Sequence, residues 1–236
     1  MITLTTSVYE KDFRFVLNKE NWFYNYKNDL ITKKIVIINN INNIDEFLLL
    51  KKEFENDFEF YYSSDYIDKI HKTFNVLLSP QDISHYYSIH HYTSLLVNEN
   101  EYGFHVSADC SIVGENLSDF FENSIELFNV DESVKSTTIF WVAPEFMESV
   151  GKNEEDYHNI QKRHEKFYFS HVFSDPVYFY KKSTLSKCDL TYTTQLHPCL
   201  PYAVNSFEYR LTNYYISQNI YRAVYKSNLY FIHKSF

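Results

Sequence analysis

The chain has 236 residues and a mass of 28.4 kDa, 44% hydrophobic and 22% charged, the proportions of one soluble globular domain. Its only glycines, Gly103, Gly114 and Gly151, are too scattered for a glycine-rich phosphate loop, and a net charge of −9 without a basic stripe excludes a nucleic-acid binder. No apolar run is long enough for a transmembrane segment, the start Met1-Ile2-Thr3-Leu4 does not look like a signal peptide, and Cys110, Cys188 and Cys199 lack zinc-ligand spacing, so a reduced, cytoplasmic protein is expected.

Ile2 to Thr6 alternates and is β-branched, which predicts a strand running into a polar loop at Ser7-Val8-Tyr9. Lys11 to Leu30 has the apolar spacing of a helix with one buried face (Phe13, Val16, Leu17, Phe23, Tyr24). Lys34 to Ile38 reads as a buried parallel strand that stops at Asn39-Asn40. A helix over Asp45 to Phe54 precedes a strand at Phe58 to Tyr62, which ends in Ser63-Ser64-Asp65. Ile83 to Val97 is helical, Tyr102 to Ser107 is a fourth strand ending at Ala108-Asp109-Cys110, Leu117 to Phe128 is helical, and Thr137 to Val142 is a fifth strand. Beyond it, Pro144 to Glu165 reads as a charged loop with a helix, Phe167 to Tyr180 as strand, and Asn205 to Gln218 as helix. Alternating strands and helices with polar strand ends predict an α/β fold: an open mixed sheet, mainly parallel, flanked by helices, with ligands at the C-terminal strand ends.

The most informative stretch is Tyr86-Tyr87-Ser88-Ile89-His90-His91, then Phe104-His105-Val106-Ser107-Ala108-Asp109-Cys110. A helix feeds a buried strand, and the strand delivers a carboxylate where substrates bind. A hard divalent cation needs oxygen ligands and often bridges phosphates, so Asp109 suits a metal–diphosphate site. Thr5, Thr6, Ser7 and Tyr9 could grip a nucleobase and ribose through hydroxyls and backbone groups, with Asn39 and Asp65 adding hydrogen bonds from the neighbouring strand ends. Trp141, just past a strand, offers an aromatic face for an acceptor sugar.

These residues together resemble a glycosyltransferase of the GT-A fold. Thr3 to Tyr9 resembles the first strand and nucleotide loop, Ile35 to Asn40 the second strand, and Ser107-Ala108-Asp109 the Asp-X-Asp motif, with Ser107 in place of its first Asp. Phe173-Ser174-Asp175, His197 and Phe207-Glu208-Tyr209-Arg210 look like the acceptor half. The resemblance implies a single domain over 1–236, with a nucleotide-sugar-binding half at 1–115 and an acceptor half at 116–236. It implies a nucleoside diphosphate sugar donor (UDP-linked), a glycan acceptor, and Mn²⁺ or Mg²⁺ held by Asp109 and His197, with His171 and His91 lesser candidates. Ser88, His91, Ser107 and Ala108 would line the donor site. An inverting transfer needs a base for the acceptor hydroxyl, which points to Asp175, or else Glu145. Two rivals are a nucleotidylyltransferase, whose glycine-rich basic loop is missing, and a non-catalytic carbohydrate-binding or interaction protein, suggested by 22 Tyr and 21 Phe.

Overall fold

The computed structural model describes residues 1–9, 12, 22–39, 44–78, 88–141, 160–197 and 206–233. In chain order the described elements are β1 (Ile2–Val8), α1 (Trp22–Asn25), β2 (Ile31–Ile38), α2 (Ile44–Phe54), β3 (Glu59–Tyr62), a 3₁₀ turn (Ser63–Tyr66), α3 (Ile67–Phe74), α4 (Ile89–Val97), β4 (Tyr102–Val106), β5 (Cys110–Val113) and α5 (Leu117–Val130). They continue with β6 (Val134–Thr138), β7 (Ile160–Arg163), β8 (Phe167–Ser170), β9 (Val177–Lys181), α6 (Lys182–Leu185), α7 (Phe207–Gln218), β10 (Tyr221–Tyr225) and β11 (Tyr230–His233).

Nine strands form one sheet in the order β3-β2-β1-β4-β9-β6-β10-β8-β7, and β5 pairs with β11 in a small second sheet. The first four strands are parallel throughout. β9 then enters antiparallel between β4 and β6, and β10 joins β6 parallel before the antiparallel pairs to β8 and β7.

β1 is central and buried along its whole length, because both faces of the sheet are covered. Leu4 and Val8 face a phenylalanine-rich core with Phe47, Phe104, Phe120, Phe121 and Phe179. Phe121 lies 5.1 Å from both Phe104 and Phe179, within the range of favourable ring packing. On the other face, α4 and α7 pack Ile89, Tyr92, Leu211 and Tyr215 against Tyr178 and Tyr180 of β9. Gly103 stands opposite Tyr180 in the β4–β9 register, and a Cβ there would overlap the tyrosine ring. The aromatic excess is therefore largely core, on both sides of the sheet.

Several boundaries differ from the sequence reading. Ser7 and Val8 belong to β1, continuing its parallel pairing with Ile37 and Ile38. The predicted helix over Lys11 to Leu30 is seen only as α1, since residues 13–21 lie outside the described set, and it does not reach Leu30. Asn28 ends it: its Oδ1 accepts from the Leu30 N–H at 2.9 Å and its carbonyl from the Ile31 N–H at 2.9 Å, a turn that starts β2. The strand expected at Thr137 to Val142 is β6, Val134–Thr138, earlier in the chain, so Trp141 lies beyond it. Ile160–Arg163 is a strand, not helix or loop; it is the sheet edge, where Gln161, Lys162 and Arg163 face solvent. Phe167 to Tyr180 divides into β8 and β9, which are not neighbours; Asp175-Pro176 lies between them, and proline biases its predecessor away from helix while giving the sheet no N–H.

Candidate active site

Antiparallel pairing of β4 with β9 sets Val106 opposite Val177. The turn that leaves β4 and the segment that enters β9 are therefore brought together. The Ser107 N–H donates to the Pro176 carbonyl at 2.8 Å, and the Cys110 N–H donates to the Ser107 carbonyl at 2.9 Å, closing the turn that presents Ala108 and Asp109. Asp109 is half-buried, and Cys110 Sγ lies 3.8 Å from its Oδ1. Asp175, two residues before Val177, is 17% exposed, and its Oδ2 is 3.6 Å from His91 Nε2.

α4 supplies the floor. Its first turn carries His90 and His91, which meet His105 of β4 in a wholly buried layer. Each imidazole has its Nδ1 facing a hydroxyl: Tyr9 at 3.0 Å from His90, Tyr178 at 2.9 Å from His91, and Thr5 at 3.1 Å from His105. Burial pushes all three imidazoles well down from their ordinary range, His91 to about 3, so they are neutral at pH 7. Charge on His91 would further oppose protonation of His90 and His105. His91 also stacks on Phe207, at the start of α7, with ring centroids 4.9 Å apart.

The sequence candidates fall into distinct places. Thr5 is buried under α4, where its Oγ1 also accepts from Ser94 Oγ at 3.2 Å; its hydroxyl is engaged in the helix–sheet interface. Thr6 and Ser7 are buried in β1. Asn39 is buried at the end of β2, with its N–H donating to the Val8 carbonyl at 3.0 Å and its Nδ2 without a hydrogen-bond partner among the described residues. Ser88 is buried, and its Oγ accepts from the Phe207 N–H at 2.9 Å, which ties α4 to α7. Asp65 is exposed in the 3₁₀ turn after β3. His197 is half-buried, held by its N–H donating to Asn213 Oδ1 at 2.9 Å, with its ring 6.2 Å from that of Tyr209. His171 is occupied otherwise: its Nδ1 is 2.6 Å from the Ile220 carbonyl and its ring stacks on Tyr221. Trp141 stacks on Phe231 at 6.0 Å and 14°, yet remains 40% exposed. Glu145 lies outside the described residues.

No protein-family model matches the chain, and no curated protein matches it. Solved structures do. A TarS fragment, residues 1–349, from S. aureus, crystallised with UDP-GlcNAc, aligns over 100% of this chain and 58% of its own, with 12% identity and a TM-score of 0.51. S. aureus TarS itself aligns over 99% of this chain and 36% of its own, with 12% identity and a TM-score of 0.50. A mycobacterial protein aligns over 95% and 64%, with 9% identity and a TM-score of 0.51. The chain has the GT-A glycosyltransferase fold. It spans only about a third of full TarS and under two thirds of the fragment.

Within this GT-A sheet, two charged residues to which the sequence reading gave no role join the site. Glu208 sits in the first turn of α7, behind the Ser206 cap, whose Oγ accepts from the Tyr209 N–H at 3.3 Å. Burial first, then the charge of Asp175, raises the Glu208 carboxyl well above the usual carboxylate range, while Arg222 opposes the shift. Arg222 of β10 is buried, which lowers it to about 10 against the pull of Glu208. The sequence predicts a helix over Asn205 to Gln218, but nothing local in it shows that Glu208 comes close to Asp175. His90 and His105 were equally unassigned. Among the described residues, no helix is long and apolar enough to cross a membrane.

Proposed function

We propose that this protein transfers a sugar from a nucleoside diphosphate sugar, UDP-linked, to a glycan hydroxyl. The observation that carries this reading is the meeting of the Asp109 turn and the Asp175 segment at one sheet edge, clipped by the Ser107–Pro176 hydrogen bond. The nearby ends of β1 and β2, at Tyr9 and Asn39, provide the polar strand ends where an α/β sheet takes a nucleotide. The likeness to a TarS fragment bound to UDP-GlcNAc supports uracil as the base.

Asp109 fits a hard divalent cation as an oxygen ligand: a half-buried carboxylate in a tight turn, with Ser107 where a second carboxylate would otherwise stand. Mn²⁺ or Mg²⁺ held by Asp109, with His197 as a further ligand, would supply positive charge to the departing diphosphate. Asp175 accepts the proton of the acceptor hydroxyl as that oxygen bonds to the anomeric carbon and the bond from that carbon to the diphosphate oxygen breaks. Neutral His91, its ring held against Phe207, sets its Nε2 3.6 Å from the Asp175 carboxylate. Trp141 provides an exposed ring for the acceptor.

Calorimetry with UDP, GDP and their sugars in the presence of Mn²⁺ tests the donor site, and slow release of UDP from a bound UDP-sugar tests the chemistry. Binding accompanied by a raised melting temperature is expected. Failure of every nucleotide to bind would end the reading; binding without any UDP release would favour a non-catalytic module.

A further inference from the structure

The histidine layer beneath Asp175 has a donor chemistry unlike that of Asp109. We infer that His90, His91 and His105 form a site for a borderline transition-metal ion of the zinc class, with its fourth position facing the Asp175 carboxylate. One ring nitrogen from each histidine lies within 4.8 Å of the other two, and all three residues are buried. Nitrogen ligands select zinc-like ions over magnesium or calcium, which prefer oxygen.

The surroundings point the same way. A ligating histidine commonly has its other ring nitrogen fixed by a hydrogen bond, which sets ring orientation and tautomer. Here three hydroxyls, from Tyr9, Tyr178 and Thr5, each face an Nδ1 and can accept its proton. That leaves Nε2 as the lone-pair nitrogen on each ring. His91 Nε2 and His105 Nε2 are buried with no hydrogen-bond partner among the described residues, a costly condition for polar atoms that a metal would relieve. The imidazoles are already neutral, so no proton need be expelled before binding. Zn–N bonds of about 2.0–2.1 Å in a tetrahedral site separate the nitrogens by about 3.4 Å, so the rings must draw together on binding. Asp175, 17% exposed and 3.6 Å from His91 Nε2, marks the side of entry and can ligate directly or through a water.

The inference stands on the histidines and not on sugar transfer, so its test reads metal content alone. The full chain carrying Asp109→Asn, which removes the oxygen site, is stripped with chelator and titrated with Zn²⁺ by calorimetry. One zinc per chain is expected, undisturbed by excess Mg²⁺, and Co²⁺ should give the intense visible bands of a four-coordinate, nitrogen-rich site. Adding His105→Gln, which can keep the contact with Thr5, should weaken zinc binding at least ~10-fold. No zinc in the stripped Asp109→Asn chain, or equal affinity after His105→Gln, would overturn the site. Should His105→Gln fail to fold, judged by circular dichroism, the cobalt spectrum of the folded Asp109→Asn chain decides, and weak bands of six-coordinate oxygen ligation count against it.

Discussion

The backbone N–H of Ser107 donates to the carbonyl of Pro176 at 2.8 Å. This bond joins the segment holding the metal candidate Asp109 to the segment holding the base candidate Asp175. It is short because β9 runs antiparallel beside β4, so the end of one strand is the beginning of the other. A parallel neighbour would have put the entry to β9 at the opposite edge of the sheet.

Asp109→Asn keeps the size of the side chain and removes the charge that would hold a cation. Transfer from a UDP-sugar should fall by orders of magnitude, while the melting temperature barely moves, because Asp109 lies in a half-buried turn outside the core. Near-normal turnover in a steady-state assay would remove Asp109 as the principal ligand.

Asp175→Asn should abolish transfer and leave UDP affinity unchanged, since the base contacts the acceptor hydroxyl and not the nucleotide. Glu208→Gln should cost less, because burial and the neighbouring charge of Asp175 already disfavour the charged form of the Glu208 carboxyl, and an amide carries no charge. Parallel calorimetry and kinetics on the two variants check both expectations. A product with retained anomeric configuration would rule out the single-base scheme.

Stability should fall as the solution is acidified. In the unfolded chain His90, His91 and His105 take up protons near pH 6.5, whereas the folded values are depressed, that of His91 to about 3. Above pH 6.5 both states are neutral and stability is level. Between pH 6.5 and 3 the unfolded state binds protons that the folded state refuses, at up to about 1.4 kcal/mol per histidine per pH unit. Urea unfolding of the metal-free chain should therefore show a loss of about 1.4 kcal/mol from His91 alone between pH 7.5 and 5.5, with His90 and His105 adding to it in the same direction. An unchanged unfolding midpoint would mean that the layer is open to water.

Gly103→Ala should destabilise the fold by about 1–3 kcal/mol, the usual cost of forcing a group into a packed core. The added methyl meets the ring of Tyr180, whose hydroxyl lies 3.4 Å from Ser94 and accepts from Asn98 at 3.3 Å, so the ring cannot swing aside without losing both contacts. Thermal melting checks it, and a wild-type transition would show that Tyr180 has room to move.

By itself, the sequence determined the class of the fold and the parallel half of the sheet. Alternation and β-branching in Ile2 to Thr6, the Ile/Val run of Lys34 to Ile38, and the polar residues that close these strands are local signals, and β1, β2 and their neighbours follow them. The position of Asp109, just past a buried strand, was legible for the same reason. Only the tertiary structure decided what depends on pairing between distant segments. It divided Phe167 to Tyr180 into β8 and β9 and sent β9 to β4, and it set Glu208 beside Asp175. It also brought His90 and His91 of α4 against His105 of β4. Local composition fixes which residues favour a strand or a helix. Which strands become neighbours is fixed by burial of both sheet faces and by antiparallel register, and those exist only once the whole sheet has closed.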